Sequence, residues 1–310
     1  MITTVNLNPC VDRAIMVPSV SLGKFNLAEK TRVDIAGKGI NVAVALSQLD
    51  VPVVCAGIGF DGDRAKLYEG LDGFGIPYDF VIAPGEMRTN IKILDMAKNE
   101  MTEINSRGEP VNKNVLDQFL EKLKVLGKTS DIVVLGGRLP NGSDVDYYKR
   151  CIEVLSEYPV KVFVDADGEP LKQAIVAKPF LIKPNAYELG KLFDEEVNTV
   201  EDAIRLSKRV IDRGVSVVCS SLGDQGAVIV DSKSVWYSPA MNVEPKGVQG
   251  AGDSMIAGIC KAITEGLPIK EMLRYGTAAA AASLIREGTL LCQKTDFERL
   301  LPSVEISAYQ

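Results

Sequence analysis

The sequence of 310 residues predicts an α/β fold in which helices cover both faces of a mainly parallel central sheet. Short β-branched runs alternate along the chain with segments of helical periodicity, and several of the strand candidates are apolar throughout. Such strands are buried on both faces, as strands between two helical layers are. Ligands of folds in this class bind beyond the carboxyl ends of the strands.

Each predicted element is a short segment with its own period. Seven β-branched or apolar runs are predicted to be strands, namely Thr3–Leu7, Val53–Ala56, Ile132–Leu135, Val160–Asp165, Phe180–Ile182, Val215–Cys219 and Ala227–Val230. Eight segments are predicted to be helices, namely Ile40–Leu49, Arg64–Leu71, Lys113–Val125, Val145–Leu155, Ala186–Leu192, Val200–Arg213, Ser254–Glu265 and Ile269–Arg286. No internal repeat, low-complexity tract or linker is present, so one domain is expected to span residues 1–310.

Two segments, 12–34 and 86–103, interrupt the alternation of strands and helices. They are short, polar and without helical period, and residues 91–96 alternate like a half-exposed strand. On pattern alone these segments predict two surface hairpins inserted into the domain.

The composition is that of an ordinary globular protein, with 46% hydrophobic and 25% charged residues. The formal net charge of −6 argues against a nucleic-acid partner, although local N–H groups and a few cations can still attract an anionic substrate. There is no signal peptide and no apolar run of transmembrane length. We therefore expect a cytoplasmic protein without a membrane partner.

The cysteines and histidines limit the chemistry that the chain can perform. The six cysteines include no CxxC pair, and three of them, Cys55, Cys219 and Cys260, lie in apolar runs, which favours reduced core residues over disulfides. The absence of histidine excludes Ser-His-Asp and Cys-His catalysis and weakens any zinc hypothesis.

The most informative segment is Gly-Ala-Gly-Asp-Ser at 250–254, which leads into a predicted helix. Backbone N–H groups at a helix start lack partners, and the helix dipole adds positive potential, so an anion suits this turn. Asp253 would there take a proton from a hydroxyl that attacks a phosphoryl group held by the turn. The simpler interpretation is a glycine-rich turn with an aspartate as helix cap.

A second glycine-rich helix start, Gly-Lys-Gly-Ile-Asn-Val-Ala at 37–43, carries a lysine and an asparagine that could hold a polyhydroxylated ligand. These two segments resemble the two signature motifs of the PfkB, or ribokinase-like, carbohydrate kinase family. The opening Thr-Val-Asn-Leu-Asn-Pro-Cys-Val-Asp at 4–12 is similar to the family's branch of 1-phosphofructokinases and tagatose-6-phosphate kinases. The resemblance covers nearly the whole chain in the expected order.

The resemblance implies a ribokinase-like three-layer α/β/α fold with a mainly parallel central sheet. It also implies that segments 12–34 and 86–103 form a small β-sheet lid over the sugar site, which often serves as a homodimer contact. The implied reaction is Mg²⁺- and ATP-dependent phosphoryl transfer to a hydroxyl of a small phosphosugar. Fructose 1-phosphate is the leading substrate, and tagatose 6-phosphate is the runner-up.

Roles for individual residues follow from the resemblance. Asp253 would be the general base, and the anion hole would consist of Gly250, Ala251 and Gly252. The sugar site would consist of Asp12, Gly37, Lys38, Gly39 and Asn41, with Arg88 on the substrate phosphate. The ATP site would consist of Lys183, Asn185, Ser221, Gly223 and Gly226, with Asn185 and Glu188 holding a hydrated Mg²⁺. Simpler interpretations stay open: a helix cap at 185–188, a hairpin loop at 220–227 and a solvated charge at position 88.

Several positions depart from the usual pattern of the branch. Ala36 stands where glycine is usual, and Leu27 stands where arginine is usual. Arg138 stands where serine is usual, and we predict that it replaces the lost cation or reshapes the substrate pocket. Val248 and Gln249 lack the usual threonine before the anion hole, and the pattern gives them no role.

Three other classes of protein share some features of this sequence. A G-x-G-x-x-G pattern at 57–62 is formally that of a dinucleotide-binding oxidoreductase, but the acidic residue expected about 20 residues further on is missing. A P-loop kinase is excluded because no G-x-x-x-x-G-K-[ST] occurs. A non-catalytic sugar-phosphate sensor on the same fold is the other alternative, against which the intact Asp253 and anion hole argue.

Overall fold

A ten-stranded sheet forms the centre of the protein, and a four-stranded sheet stands apart from it. The computed structural model describes residues 1–247, 249–286 and 290–309. The strands within these residues are β1 (Ile2–Asn6), β2 (Cys10–Val17), β3 (Lys30–Ala36), β4 (Val53–Phe60), β5 (Tyr78–Ala83), β6 (Arg88–Asp95), β7 (Glu100–Asn105), β8 (Ile132–Gly136), β9 (Lys161–Asp165), β10 (Leu181–Ile182), β11 (Val217–Ser221), β12 (Ala227–Val230), β13 (Val235–Ser238) and β14 (Ser307–Ala308).

Helices connect most of the strands and pack on the large sheet. Within the described ranges they are α1 (Lys38–Gln48), α2 (Arg64–Asp72), α3 (Lys113–Gly127), α4 (Tyr147–Leu155), α5 (Gly168–Val176), α6 (Ala186–Lys191), α7 (Val200–Ile211), α8 (Ala251–Thr264), α9 (Ile269–Leu284) and α10 (Lys294–Leu300). One group of helices, α1, α8 and α9, packs together, and α3, α4 and α5 form another. No helix among the described residues is long and apolar enough to cross a lipid bilayer.

The large sheet is parallel over most of its width. Its order is β14-β13-β12-β11-β10-β9-β8-β1-β4-β5, and only the pairs from β11 to β14 are antiparallel. In the parallel part, Asn6 at the end of β1 is in register with Gly136 at the end of β8, and Gly136 is in register with Asp165 at the end of β9. The carboxyl ends of three neighbouring strands therefore meet at one edge.

Helix α1 packs very closely on β1. A Cβ atom at Gly39 would come within 2.3 Å of the Val5 carbonyl oxygen, so the first turn of α1 can lie against the strand only because this residue is glycine. This contact fixes the start of α1, and with it Lys38 and Asn41, at the carboxyl edge of the sheet.

The small sheet has the order β3-β2-β6-β7 and is formed by the two segments that interrupt the sequence pattern. In its register Asp12 on β2 pairs with Asn90 on β6, and Asn90 pairs with Asn105 on β7. Because paired residues point to the same side of a sheet, these polar side chains share one face. That face borders the carboxyl edge of the large sheet.

The predicted fold class, an α/β fold with a mainly parallel sheet and a small separate sheet, is confirmed. All seven predicted strands lie in the large sheet, and all eight predicted helices are present with shifted ends. Strands β5, β13 and β14 and helices α5 and α10 were not predicted. The G-x-G-x-x-G pattern at 57–62 is not a strand-to-helix turn, because β4 continues through Phe60.

Six cysteines, at positions 10, 55, 151, 219, 260 and 292, are all buried and free, as the sequence predicts. Burial raises the pKa of each thiol, to about 12 for Cys55 and to about 11 for Cys292. A thiol with a raised pKa carries little of the reactive thiolate at neutral pH.

Candidate active site

A cleft of about 350 Å³ lies between the carboxyl edge of the large sheet and the polar face of the small sheet. The predicted site residues that line it are Asp12, Gly37, Lys38, Asn41, Arg88, Arg138, Glu188 and Gly250. These eight residues come from segments between position 12 and position 250, so the fold brings about half of the predicted site residues to one cleft. Gly39 lies beneath it, in the contact between α1 and β1.

Asp253 lies in the first turn of α8 and is only 7% exposed. Its Oδ2 accepts a hydrogen bond from Asn41 Nδ2 on α1 at 2.8 Å, which joins the two glycine-rich helix starts. Helix α8 begins after Gly250, whose φ of +78° is left-handed, and the first helical bond runs from Ser254 N to the Gly250 carbonyl. The N–H groups of residues 251–253 precede that bond and are available to an anion.

The environment of Asp253 suits a base that works near neutral pH. Burial raises the pKa of its carboxyl to about 6, and the nearby charge of Asp165 acts in the same direction. Lys38 and the hydrogen bond from Asn41 act in the opposite direction. A carboxylate with this pKa is ionised at pH 7 and is more basic than an ordinary aspartate.

Two lysines converge on the buried carboxylate of Asp165. Lys38 Nζ donates to Asp165 Oδ1 at 2.9 Å, and Lys183 Nζ lies 3.7 Å from the same oxygen. Burial alone would raise the pKa of Asp165, but the charges of Lys183 and Lys38 lower it. Lys183 Nζ is also 3.1 Å from where a Cβ atom would stand on Gly252, so this ammonium borders the turn before Asp253. The cluster places positive charge where a phosphoryl group would lie.

The Asp12 carboxylate is held by hydrogen bonds within the small sheet. It accepts hydrogen bonds from Asn90 Nδ2 at 2.8 Å and from Lys92 Nζ at 2.5 Å, and both Asp12 and Lys92 are buried. The carboxylate is thereby held in a fixed orientation towards the cleft. Oδ1 also accepts a bond from Cys10 Sγ at 3.3 Å, whereas the second lone pair of Oδ2 can still accept a bond from a ligand hydroxyl.

Two arginines stand on the same cleft. The Arg88 guanidinium donates to Asn90 Oδ1 at 2.7 Å, which attaches it to the small sheet, whereas Arg138 is exposed and follows β8 on the large sheet. Arg88 is therefore not the freely solvated charge of the simpler interpretation. A planar guanidinium on each side of a cleft suits a phosphate group between them.

Asn185 and Glu188 form a capping box at the start of α6. Glu188 N donates to Asn185 Oδ1 at 2.8 Å, and Asn185 N donates to Glu188 Oε2 at 2.9 Å. The helix-cap interpretation of this pair is thus present in the structure. Glu188 also lines the cleft, and a metal-binding role for the pair stays a prediction.

The predicted ATP loop lies next to the capping box. Ser221 N donates to the Pro184 carbonyl at 3.1 Å, and Ser221 pairs with Asn185 in an isolated bridge. Gly223 has a φ of +62° and faces open space, whereas a Cβ atom at Gly226 would come within 2.0 Å of the Ser238 carbonyl oxygen. Close packing therefore requires glycine at position 226, whereas the backbone at Gly223 leaves space for a ligand.

The departures from the branch pattern lie at different distances from the cleft. Ala36 lines the cleft at the end of β3. Leu27 lies in the loop between β2 and β3 with 73% of its surface exposed and does not line the cleft. Val248 lies outside the described residues. Gln249 lines the cleft and contacts the small sheet.

The sequence interpretation missed Asp165, Asn90 and Lys92. Asp165 could have been found, because it is an acidic residue at the carboxyl end of a predicted strand. Asn90 and Lys92 had a weaker signal, since alternation along residues 88–95 shows that they share a face but not that this face meets the cleft.

Comparisons with known proteins agree with this geometry. A model of the pfkB family of carbohydrate kinases matches residues 5–296. The chain belongs to the pfkB carbohydrate kinase family. It is therefore a phosphotransferase with an alcohol group as acceptor, and ATP is the phosphoryl donor of this family.

Full-length relatives of this pfkB kinase are known. The 1-phosphofructokinase of Borreliella burgdorferi is 32% identical over 311 residues, covering 99% of this chain and 98% of the relative. The 1-phosphofructokinase of Bacillus subtilis is 31% identical over 309 residues, covering 99% of each. The chain thus resembles these proteins from end to end.

Solved structures of the family superpose closely on this pfkB kinase. Phosphofructokinase-2 from Escherichia coli in complex with fructose-6-phosphate is 26% identical, with a TM-score of 0.90 over 97% of this chain and 98% of that one. The same enzyme has been described in complex with potassium and in a tetrameric inhibited form. The ribokinase-like fold of the present chain is confirmed by this similarity.

Proposed function

We propose that this kinase transfers the γ-phosphoryl group of ATP to a hydroxyl of a ketose phosphate, with fructose 1-phosphate as the leading acceptor and fructose 1,6-bisphosphate as its product. The observation that carries the proposal is the hydrogen bond from Asn41 to Asp253 at the start of α8, beside a cleft that holds two arginines. The names of the two full-length relatives support the choice of substrate.

In the proposed mechanism, Asp253 Oδ accepts the proton of the acceptor hydroxyl as the oxygen attacks the γ-phosphorus. The bond from that phosphorus to the bridging oxygen of ATP breaks, and ADP leaves with the electron pair. The N–H groups of residues 251–253 and the ammonium of Lys183 stabilise the charge on the transferred group. Asn41 holds Asp253 in the orientation needed for the proton transfer.

The phosphate of the acceptor is proposed to lie between Arg88 and Arg138. Arg88 is oriented by Asn90, and Arg138, which follows β8, lines the same cleft. Within this pair, Arg138 takes the place of the cation that is usual at position 27, where the exposed Leu27 stands. Tagatose 6-phosphate remains the runner-up, because the same arginines suit either phosphosugar.

We propose that Glu188 helps to hold Mg²⁺. Among the described residues, no group of three or more acidic, cysteine or histidine side chains is arranged as a metal site. Magnesium, however, keeps several waters and takes few protein ligands. Glu188 Oε1 lies outside the capping box, and Asp165 Oδ2 is buried with no partner among the described groups, so carboxylate oxygens are available. When bound, the ion would neutralise charge on the ATP phosphates.

The small sheet, made of β2, β3, β6 and β7, is proposed to act as a lid within one domain and to pair with a second copy. Val33 and Ile104 are 52% and 57% exposed on the face opposite Asp12, where Ile104 pairs with Ile91 and Val33 pairs with Arg13, the charged residue of this otherwise apolar row. An exposed apolar sheet face of this kind is typical of an interface. A second copy would cover it while leaving the polar face on the cleft.

The first test of the function is a coupled assay of ADP release with Mg²⁺ and ATP. Fructose 1-phosphate, tagatose 6-phosphate, fructose 6-phosphate and unphosphorylated fructose would be compared, with Asp253→Asn as control. We expect turnover of fructose 1-phosphate that is lost in the variant. Turnover of tagatose 6-phosphate alone would select the runner-up. No turnover, with a melting temperature that still rises with phosphosugar, would indicate a sensor.

A further inference from the structure

Gln249, the residue before the anion hole, contacts the small sheet through both ends of its amide. Its Oε1 accepts a hydrogen bond from Lys92 Nζ on β6 at 2.8 Å, and its Nε2 donates to Glu103 Oε1 on β7. Lys92 and Glu103 are paired across the two strands, so a single side chain spans both. A glutamine amide offers one acceptor and two donors, and this contact uses both kinds.

The contact continues to the sugar side of the cleft through Lys92. Lys92 as a whole residue is 7% exposed, and its ammonium donates to Asp12 Oδ2 as well as to Gln249. A buried ammonium requires acceptors for its N–H groups, and the loss of either acceptor would leave a donor unpaired. The orientations of Asp12 and Gln249 are therefore coupled.

Gln249 also directly precedes residues 250–253, which form the turn that carries Asp253 and are here called the catalytic turn. Gly250 follows it with a left-handed φ of +78°, and the N–H groups proposed to stabilise the phosphoryl group come next. The hydrogen bonds of the Gln249 side-chain amide thus fix the position of this turn relative to β6 and β7.

Gln249 and Lys92 also lie between two spaces. Both line the cleft of about 350 Å³, and both line an adjoining cavity of about 510 Å³ beside α1. Their hydrogen bond forms part of the wall between these two spaces. Loss of the bond would open the cleft to water from the adjoining cavity.

We propose that Gln249 is a positioning residue that fastens the catalytic turn to the small sheet while this sheet covers the cleft. The proposal rests on the proposed kinase function and adds a residue to it. The contact aligns the anion hole with the acceptor hydroxyl and limits the access of water, the competing acceptor of the phosphoryl group.

An exchange of side chains tests the contact. Gln249→Glu places a carboxylate against Glu103, and we expect the KM for fructose 1-phosphate to rise about tenfold, with more ADP formed than sugar phosphorylated. Glu103→Gln alone should have a smaller effect. The double variant Gln249→Glu with Glu103→Gln restores one donor and one acceptor and keeps an acceptor for Lys92. We expect it to recover to within about threefold of the wild-type KM.

A matched control exists on the surface of α5. Gln173 Nε2 donates to Glu169 Oε1 at 2.9 Å, so Gln173→Glu creates the same pair of carboxylates outside the cleft. This variant should keep the wild-type KM and the ratio of one ADP per sugar phosphorylated. The proposal would be overturned if the fold-changes in KM of the two single variants simply multiplied in the double variant. It would also be overturned if Gln249→Glu kept the wild-type KM and the wild-type ratio of ADP to phosphorylated sugar.

A binding measurement separates this proposal from the kinase function. The rise in melting temperature caused by fructose 1-phosphate without ATP would be measured for the same variants. A smaller rise for Gln249→Glu that returns in the double variant supports the contact even if no turnover occurs. Absence of wild-type turnover would refute the kinase proposal alone, whereas equal rises in all variants would refute the contact.

Discussion

At the scale of single residues, the buried carboxylate of Asp253 is expected to lower the free energy of unfolding, because the same burial that makes it more basic disfavours its charge. Its pKa is raised from 3.8 to about 6, so the folded state disfavours the ionised form, and stability falls as pH rises from about 4 to about 6. Asp253→Asn keeps an acceptor for Asn41 but removes the buried charge. We expect turnover to be lost and the free energy of unfolding at pH 7 to rise by up to about 3 kcal/mol.

Urea denaturation at two pH values checks this prediction. At pH 7 the variant should be the more stable protein, and at pH 4 the difference should largely disappear, because the wild-type carboxyl is then protonated when folded. A variant that is less stable than wild type at pH 7 would contradict the assignment of a strained, buried carboxylate.

After burial, the charge of Asp165 is the second cause that raises the pKa of Asp253, so Asp165 is expected to shift the pH range of the reaction. Since the base must be ionised, kcat/KM of the wild type should rise with pH, reach half of its maximum near the pKa of about 6, and level off about one pH unit above it. The charge of Asp165 raises the pKa of Asp253, so Asp165→Asn should move the rising limb to lower pH and also reduce the rate by releasing Lys38. An unchanged limb in the pH profile would show that the two carboxylates are not coupled.

Arg138 is expected to contribute to binding of the substrate phosphate. Arg138→Ser restores the residue usual in the branch, and removal of a charged hydrogen-bonding partner should raise the KM for the phosphosugar by roughly tenfold or more. The KM for ATP should not change. Steady-state kinetics with all four sugars of the panel would check this, and a KM unchanged from the wild type for every sugar would count against the role.

The site residues that the sequence predicts differ in one respect from those that only the structure draws attention to. Asp253, Asn41 and Arg88 lie in segments whose local pattern carries a signal, either a glycine-rich helix start or a family motif. The role of Lys92 and Gln249 depends on a hydrogen bond between residues that lie 157 positions apart in the sequence. No local pattern reports such a contact, because it depends on where the small sheet lies relative to α8.

At the scale of elements, the contact between α1 and β1 depends on Gly39. Gly39→Ala would bring a methyl group within 2.3 Å of a backbone oxygen, so the helix must shift. We expect a loss of about 1–3 kcal/mol in stability and a lower kcat, because Lys38 and Asn41 move with the helix. Thermal melting and kinetics of this variant would be compared with Gly73→Ala.

Gly73→Ala is the matched control for the helix prediction. Its new Cβ atom would lie 3.4 Å from the Glu69 carbonyl oxygen, an ordinary contact, at the end of α2. This variant should stay close to wild type in stability and kinetics. Equal effects of the two substitutions would show that the close contact of α1 is not what matters.

Helices and strands were predicted correctly where a periodic segment was long or where a short run was apolar throughout. Helix α7 has a clear amphipathic pattern with Thr199 as cap, and β8 is buried at all five positions. Helix α5 was missed because it starts with glycine, contains Pro170 and has only nine residues. Strand β5 was missed because its alternation is incomplete, and its partner β4 supplies the register.

At the scale of the whole molecule, the apolar face of the small sheet is expected to hold two copies together. Val33→Glu would place a charge in that face without touching the cleft side of β3. We expect the sedimentation coefficient to fall from that of a dimer to that of a monomer. Lys30→Glu, on an exposed end of β3, serves as the control. A wild-type protein that is monomeric at micromolar concentration would contradict the proposed interface.

The six buried cysteines give this molecule a built-in report of its own opening. Alkylation by iodoacetamide needs an accessible thiolate, and every thiol here is buried with a raised pKa. Cys10 belongs to the small sheet, whereas Cys55 and Cys219 belong to the large sheet. The order in which the reagent modifies them would therefore rank local opening of the small sheet against global unfolding, without any engineered label.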